Sequence, residues 1–416
     1  MASDKQDKVL NVPTKGKFPN LRFPEFTDDW EQHPTTDYFE FKNGLNPDAK
    51  RFGSGTKFIS VMDILNNRYI TYDKIIASVK PKENDLKEFG VNYGDILFQR
   101  SSETLEDVGR ANVYLDKETA LFGGFVIRGK KIGEYNPLFF RYLLSSPHVR
   151  KRIVVKGAGA QHFNIGQDGL SKVTLFVPSA KEQEQIANLL NLVDERIETQ
   201  IRIIEKLQSL MKGLNDYLQD NVTMSYSLSF SDIGEDYSGL SGKTAEDFGN
   251  GKPYITYVSV YANRFVDEEC CGKVSVGKDE KQNVVLKGDL LFTLSSETPE
   301  EVCYGAVYSG NSTETYLNSF CFGVRNTEGK VFSPYMAYYF NSCRFRREVF
   351  PLAQGSTRFN LQKSDFLRKQ FFYPSIDEQH RIFKLLNAYD NKIKLEYQIL
   401  AHYQQQKDFL LHSLFI

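Results

Sequence analysis

The chain has 416 residues, 41% of them hydrophobic and 25% charged, with a formal net charge of −1. That length suits two domains or more, and the near-globular balance implies neither disorder nor a membrane protein. No apolar run reaches the roughly 18–20 residues of a membrane span.

The opening MASDKQDKVLNVPTKGK is polar and lacks the apolar stretch of a signal peptide. Residues 1–20 therefore read as a flexible arm, and a cytoplasmic location is expected. The cysteines (Cys270, Cys271, Cys303, Cys321, Cys343) are odd in number and lack zinc spacing, so free thiols and no metal site are expected.

Residues 21–178 read as a first α+β head. Short runs such as KFISVMDI, GDILFQR and ANVYL, broken by Gly, Asn and Asp, predict strands. Asn136-Pro137-Leu138-Phe139 is similar to the N-P-P-aromatic motif of amino-methyltransferases. The second proline is missing, however, and no Gly-rich cofactor loop accompanies it. Pro137 reads instead as the opener of one helix, NPLFFRYLLSSPHVRKRI, followed by the loop KGAGAQHFN. Arg141, Arg150, Lys151, Arg152, Lys156 and Lys172 make this stretch locally basic, with Asp168 the acid among them.

Residues 179–220 predict a long helix. Ile186, Leu190, Val193, Ile197, Ile201, Ile204, Leu207, Met211, Leu214 and Leu218 form one apolar stripe. Pro178–Ser179 starts it, with Ser179 as N-cap and Glu182 completing a capping box.

From residue 221 the chain repeats itself. GDLLFTLSSETPEEVCYGAVY from Gly288 matches GDILFQRSSETLEDVGRANVY from Gly94 at 12 of 21 positions. FGNGKPYITYVSV pairs with FGSGTKFISVMDI, and GSTRFNL with GAQHFNI, both at an offset of 196. Residues 221–374 are thus a second head. Its own basic stretch holds Arg344, Arg346, Arg347, Arg358, Lys363, Arg368 and Lys369 against Glu348 and Asp365. Ser241-Gly242-Lys243-Thr244 ends like a phosphate-binding loop, but Tyr237 stands where the first glycine is required.

Residues 375–416 repeat the helix, from Pro374–Ser375 with Glu378. The stripe runs Ile382, Leu386, Tyr389, Ile393, Tyr397, Leu400, Tyr403, Lys407, Leu410, Leu414, with Lys407 its polar exception. A helix of roughly 38 residues is about 57 Å long and cannot bury such a stripe inside one small head. The expected fold is therefore α+β: two tandem recognition domains joined by two long helices that form an antiparallel coiled coil with pseudo-twofold symmetry.

Variable head, helix, variable head, helix resembles the specificity subunits of type I restriction–modification enzymes. The resemblance rests on LRFPEF at Leu21, the G-D-hydrophobic-L-F blocks, the Phe-Asn pairs at 163 and 359, and the P-S-x-x-E-Q helix starts. It implies a subunit without catalysis whose two target-recognition domains each read half of an asymmetric, split site on double-stranded DNA. It also implies two modification (methyltransferase) subunits on the helices and two restriction (translocase and nuclease) subunits outside them. No cofactor is expected in this chain, with S-adenosylmethionine, ATP and Mg2+ held by those partners.

Phosphate contacts are expected from Arg150, Lys151, Arg152 and Lys156 in the first head, and from Arg344, Arg346, Arg347 and Arg358 in the second. Base contacts are expected from the loops 157–164 and 354–360, through Gln161, His162 and Asn164, and Ser356, Thr357, Arg358 and Asn360. The SSET segments, with Ser102 and Ser296, are a second candidate loop, and Arg100 differs between copies as a specificity residue should. A self-contained methyltransferase and a coiled-coil scaffold without a nucleic-acid role are the competing readings.

Overall fold

The structure is a computed structural model, and it describes residues 17–159, 161–277 and 279–416. The predicted arm falls mostly on residues 1–16, outside the described residues. Its last residues are already engaged, because the Lys17 carbonyl accepts the Trp30 N–H at 2.8 Å. No helix among the described residues is long and apolar enough to cross a membrane.

The chain divides into two compact units, residues 1–201 with 399–416, and residues 202–398. Each consists of one head and one half of each long helix. The helices span Ala180–Asn221 and Ile376–Ser413.

The head of the first unit holds an antiparallel sheet in the order Phe39–Asn43, Val126–Lys131, Ile96–Gln99, Ala111–Val113. The second head repeats it as Glu235–Ser238, Cys321–Arg325, Leu290–Thr293, Gly305–Tyr308, extended by Phe265–Val266. The G-D blocks are the turns entering the central strands. Gly94 and Gly288 adopt φ of 91° and 90°, which favours glycine, and the buried Asp95 and Asp289 accept backbone N–H groups of Asn92 and Leu286. Each central strand is wholly buried.

The helix predicted from Pro137 is two helices. Pro137–Ser145 is opened as expected, with Asn136 accepting the Phe139 N–H. It then stops at Ser146, because the residue before Pro147 is driven out of helical conformation, and Ser146 caps a second helix, Pro147–Val154.

In the first unit, Ile186, Leu190 and Val193 are buried in one core with Leu410 and Leu414. In the second, Met211 is buried with Ile382, Leu386 and Ile393. The start of the central helix thus meets the end of the C-terminal helix, an antiparallel pairing. Midway the stripe shifts by one residue. Ile201 and Tyr397 are exposed, whereas Gln200 and Glu396 are buried. Gln200 and Glu396 lie fourteen residues after the buried Ile186 and Ile382, so the buried face keeps the seven-residue repeat of a coiled coil, and the apolar residue that follows each is turned outward.

Polar latches fix each head to its helices. Tyr142 Oη donates to Asp194 at 2.8 Å, and Arg141 and Arg68 approach the same carboxylate at 3.3 and 3.9 Å. In the second unit Tyr338 donates to Asp390 at 2.8 Å, with Arg264 at 2.7 Å. Lys407, the exception in the stripe, pairs with Asp194 at 2.7 Å; its counterpart is the apolar Met211. The Gln of each P-S-x-x-E-Q start is a second latch. Gln183 accepts the Asn136 N–H and donates to the Pro178 carbonyl, and Gln379 does the same with Phe332 and Pro374.

The capping boxes are only half formed. Ser179 and Ser375 accept the N–H of Glu182 and Glu378. The Glu182 carboxylate, however, turns to Arg22 of LRFPEF and to Trp30, and Glu378 turns to Arg381.

Burial raises the Asp194 pKa, but Lys407, Arg141 and the hydrogen bonds from Lys407 and Tyr142 outweigh it and hold the carboxyl below its ordinary value. A depressed folded value means this contribution is complete above the unfolded pKa of about 3.9 and is lost as pH falls through the folded one. Asp194→Ala is expected to destabilise the first unit by about 3–5 kcal/mol near neutral pH, measured by denaturant melts. Asp390→Ala, which strands fewer cations, should cost less.

Candidate nucleic-acid interface

The two loops singled out in each head lie side by side. Phe163–Asn164 pairs antiparallel with Ser101–Ser102, in register Phe163 with Ser102 and Asn164 with Ser101. In the second head Ser295 faces Asn360 and Ser296 faces Phe359.

Each Phe-Asn strand is one arm of a hairpin. Ala158 and Asn164 exchange backbone hydrogen bonds at 3.0 and 2.9 Å, and Gln354 pairs with Asn360 in the same way. A glycine turns each tip. Gly159 has φ of 148° and Gly355 of 137°, and a Cβ there would lie 2.0 Å from the carbonyl oxygen of His162 or Arg358. Only glycine allows so close a return of the chain.

Gln161, His162 and Asn164 are exposed in the first tip, and Ser356, Thr357, Arg358 and Asn360 in the second. Ala160 lies outside the described residues. Phe163 and Phe359 pack against the cores, as anchors should.

Arg100 and its counterpart Leu294 sit at the join of strand and hairpin. Their carbonyls accept from Ile165 and Leu361 at 3.0 and 2.8 Å. The serines serve the turn. Ser102 Oγ accepts the Thr104 N–H at 3.3 Å, and Ser296, which is buried, donates to the Thr298 carbonyl. The expected contact from Ser296 is thereby corrected.

The contacts expected from Arg150 and Arg346 are also corrected. Arg150 donates to the carbonyls of Glu106, Val108 and Gly109 at 2.7–2.8 Å. Arg346 repeats this on Glu300, Val302 and Cys303 at 2.6–2.8 Å and lies over the Tyr304 ring. Burial pushes the Arg150 guanidinium down to about 10. Both are clamps that shape the loop after the serine strand. Sequence spacing had suggested a solvent face, but three inward carbonyls claim the donors.

Arg152 binds the Thr174 carbonyl and lies over Phe176. Arg344 donates to the Gln219 carbonyl at 3.1 Å and Arg347 pairs with Asp220, both in the last turn of the central helix. His148, the counterpart of Arg344, approaches the His412 carbonyl in the last turn of the C-terminal helix at 3.1 Å. Arg344 and His148 thus meet the negative ends of the helices and their unpaired carbonyls.

Lys151 and Lys156 are exposed, and no ion pair to either is found among the described residues. In the phosphate-loop look-alike, Lys243 is held by Glu280 at 2.6 Å and Thr244 bonds Asp247.

Sequence reasoning missed Gln183, Gln379, Asp194 and Asp390 as the residues that hold the heads in place. The matched P-S-x-x-E-Q signal was visible, but local capping accounted for it.

Arg150→Ala is expected to destabilise the first unit on the order of 2–4 kcal/mol, because three backbone carbonyls, two of them on the buried Val108 and Gly109, lose a charged donor. Arg150→Lys should not restore it, since an ammonium lacks the planar fork. Denaturant melts of the three proteins check both statements.

The profile of the family described as "Type I restriction modification DNA specificity domain" matches residues 27–209 and again 229–403. The chain is 22% identical, over 98% of its length and 97% of the other's, to a protein described as the type I restriction enzyme MjaX specificity subunit of Methanocaldococcus jannaschii. It is 27% identical over 151 residues, 35% of this chain and 32% of the other, to the type I restriction enzyme EcoKI specificity subunit of Escherichia coli. Its fold is similar to the crystal structure of the type I restriction–modification system S subunit from M. genitalium, with a TM-score of 0.51 and 16% identity over 96% of this chain and 99% of that one. A chain from a study of complex assembly and conformational transition in the type I system aligns with a TM-score of 0.60 and 12% identity, over 92% and 96%. Duplicated heads, long antiparallel helices and a family match over most of the chain, twice, make this a member of the type I restriction–modification specificity subunits.

Proposed function

We propose that each head reads one half of a split site on double-stranded DNA with the tip of its hairpin, and that the helices set the unread spacer. The observation that carries this is the pairing of conserved and changed positions at one edge. The hairpin, its turning glycine and its serine partner strand recur in both heads, while the tip residues change from Gln161-His162 to Thr357-Arg358. A shared frame with exchanged donors and acceptors suits two readers of different bases. Lys151 and Lys156 supply phosphate contacts beside the first tip.

In this reading the chain works in the cytoplasm and carries no reaction itself. Two modification subunits dock on the helices and two restriction subunits lie outside them. S-adenosylmethionine, ATP and Mg2+ belong to those partners.

The double exchange Gln161→Thr with His162→Arg is expected to alter one half-site and leave the other half and the spacer unchanged. Mapping methylated adenines in cells carrying each version reads all three at once, and a change in both halves, or in neither, would sink the proposal. Lys151→Ala and Lys156→Ala should each weaken duplex binding uniformly and reduce the salt slope by about one.

A further inference from the structure

Two phenylalanines project into solvent at matching places in the heads. Phe125 is 68% exposed and Phe320 is 54% exposed. Each takes the third position of a tight turn, closed by the Val126 N–H on the Gly123 carbonyl at 2.9 Å and by the Cys321 N–H on the Asn318 carbonyl at 2.9 Å. The turns are built differently, Gly-Gly-Phe-Val in one head and Asn-Ser-Phe-Cys in the other, where Asn318 Oδ1 also accepts the Phe320 N–H.

Both turns border the hairpins. The carbonyls of Phe125 and Phe320 accept the N–H of Arg100 and Leu294 at 2.9 Å, and the carbonyls of residues 100 and 294 accept from Ile165, just past one hairpin strand, and Leu361, the last residue of the other. Turn, serine strand and hairpin are thus neighbouring ranks of one edge.

An arginine attends each turn, though in different ways. Arg100 Nη1 donates to the carbonyl of Gly124, next to Phe125, at 3.3 Å. In the second head position 294 is leucine, and Arg358 reaches over from the hairpin tip to lie 5.8 Å from the Phe320 ring centre. A lone exposed phenylalanine needs no explanation. The same ring at two differently built tips, with an arginine on the turn's backbone in one head and over the ring in the other, points to a shared task outside the chain.

We propose that Phe125 and Phe320 are wedges that press into a base step of each half-site, with the adjacent arginine on the flanking backbone. This rests on the reading that the hairpins face DNA. A wedge tolerates any base, because every base offers an apolar face, and so it is kept while the reading residues beside it change.

The test uses the full chain assembled with its modification subunits and duplexes carrying the mapped site, with 2-aminopurine placed step by step through the first half. The unaltered complex should raise the fluorescence at one step. Phe125→Ala should lose that rise and bind about tenfold more weakly with the same salt slope, since no charge is removed. Phe125→Trp should restore both, and Phe320→Ala should affect only the second half. Unchanged affinity and fluorescence in Phe125→Ala would overturn the wedge. So would a loss of assembly with the modification subunits, which would make the ring a protein contact. If His162→Ala and Asn164→Ala also left recognition intact, the hairpin reading would fall too; a failure of Phe125→Ala alone leaves that reading standing.

Discussion

A carboxylate on each long helix, buried at Asp194 and half-buried at Asp390, holds the adjoining head in place. Asp194 and Asp390 each accept a tyrosine hydroxyl and face an arginine from elsewhere in the head. Apolar packing between head and helix is strong but weakly directional, whereas a hydroxyl and a guanidinium converging on one carboxylate fix a rotation as well as a distance. An edge only a few residues wide can address a chosen groove only if that rotation is fixed. The first unit adds Lys407 to the same carboxylate where the second places Met211, so one site is closed by charge and its twin by an apolar side chain.

The arginines divide by what they can reach. Arg150 and Arg346 spend their donors on three carbonyls each, and Arg344 lies on the last turn of the central helix. Of the residues expected to meet phosphates, Lys151, Lys156, Arg347 and Arg358 remain exposed. A net charge of −1 is compatible with nucleic-acid contact because few of the positive charges need to face the ligand.

The duplication, the long helices and the place of the two recognition loops were legible because each is a local or periodic signal. Repetition at one offset, a stripe of threes and fours, and Pro-Ser starts all lie within short windows of chain. The partners of a charge do not. Nothing near Arg150 in the sequence says that its donors turn to residues 106–109, and nothing near Lys407 says that it meets Asp194. The break at Ser146 could have been read from Pro147 alone, and the long apolar run PLFFRYLL concealed it. The duplication also misled in one respect. Matching arginines at 150 and 346 looked like matching DNA contacts, but a frame that both heads share is first of all a frame.

The division of the chain between units sets an order of folding. Residues 202–398 are continuous, so the second unit has all its parts as soon as that segment has been made. The first unit begins earlier in the chain but lacks residues 399–416, which carry Lys407, Leu410, Leu414 and Phe415 into its core and its latch. At about 5–20 residues per second, those residues emerge roughly 10–40 s after the rest of their unit. Through that interval the faces of Trp30 and Phe139 that Phe415 later covers stand open. The head made first is therefore the head completed last, and the nascent chain is most open to mispairing or to a chaperone at its older end.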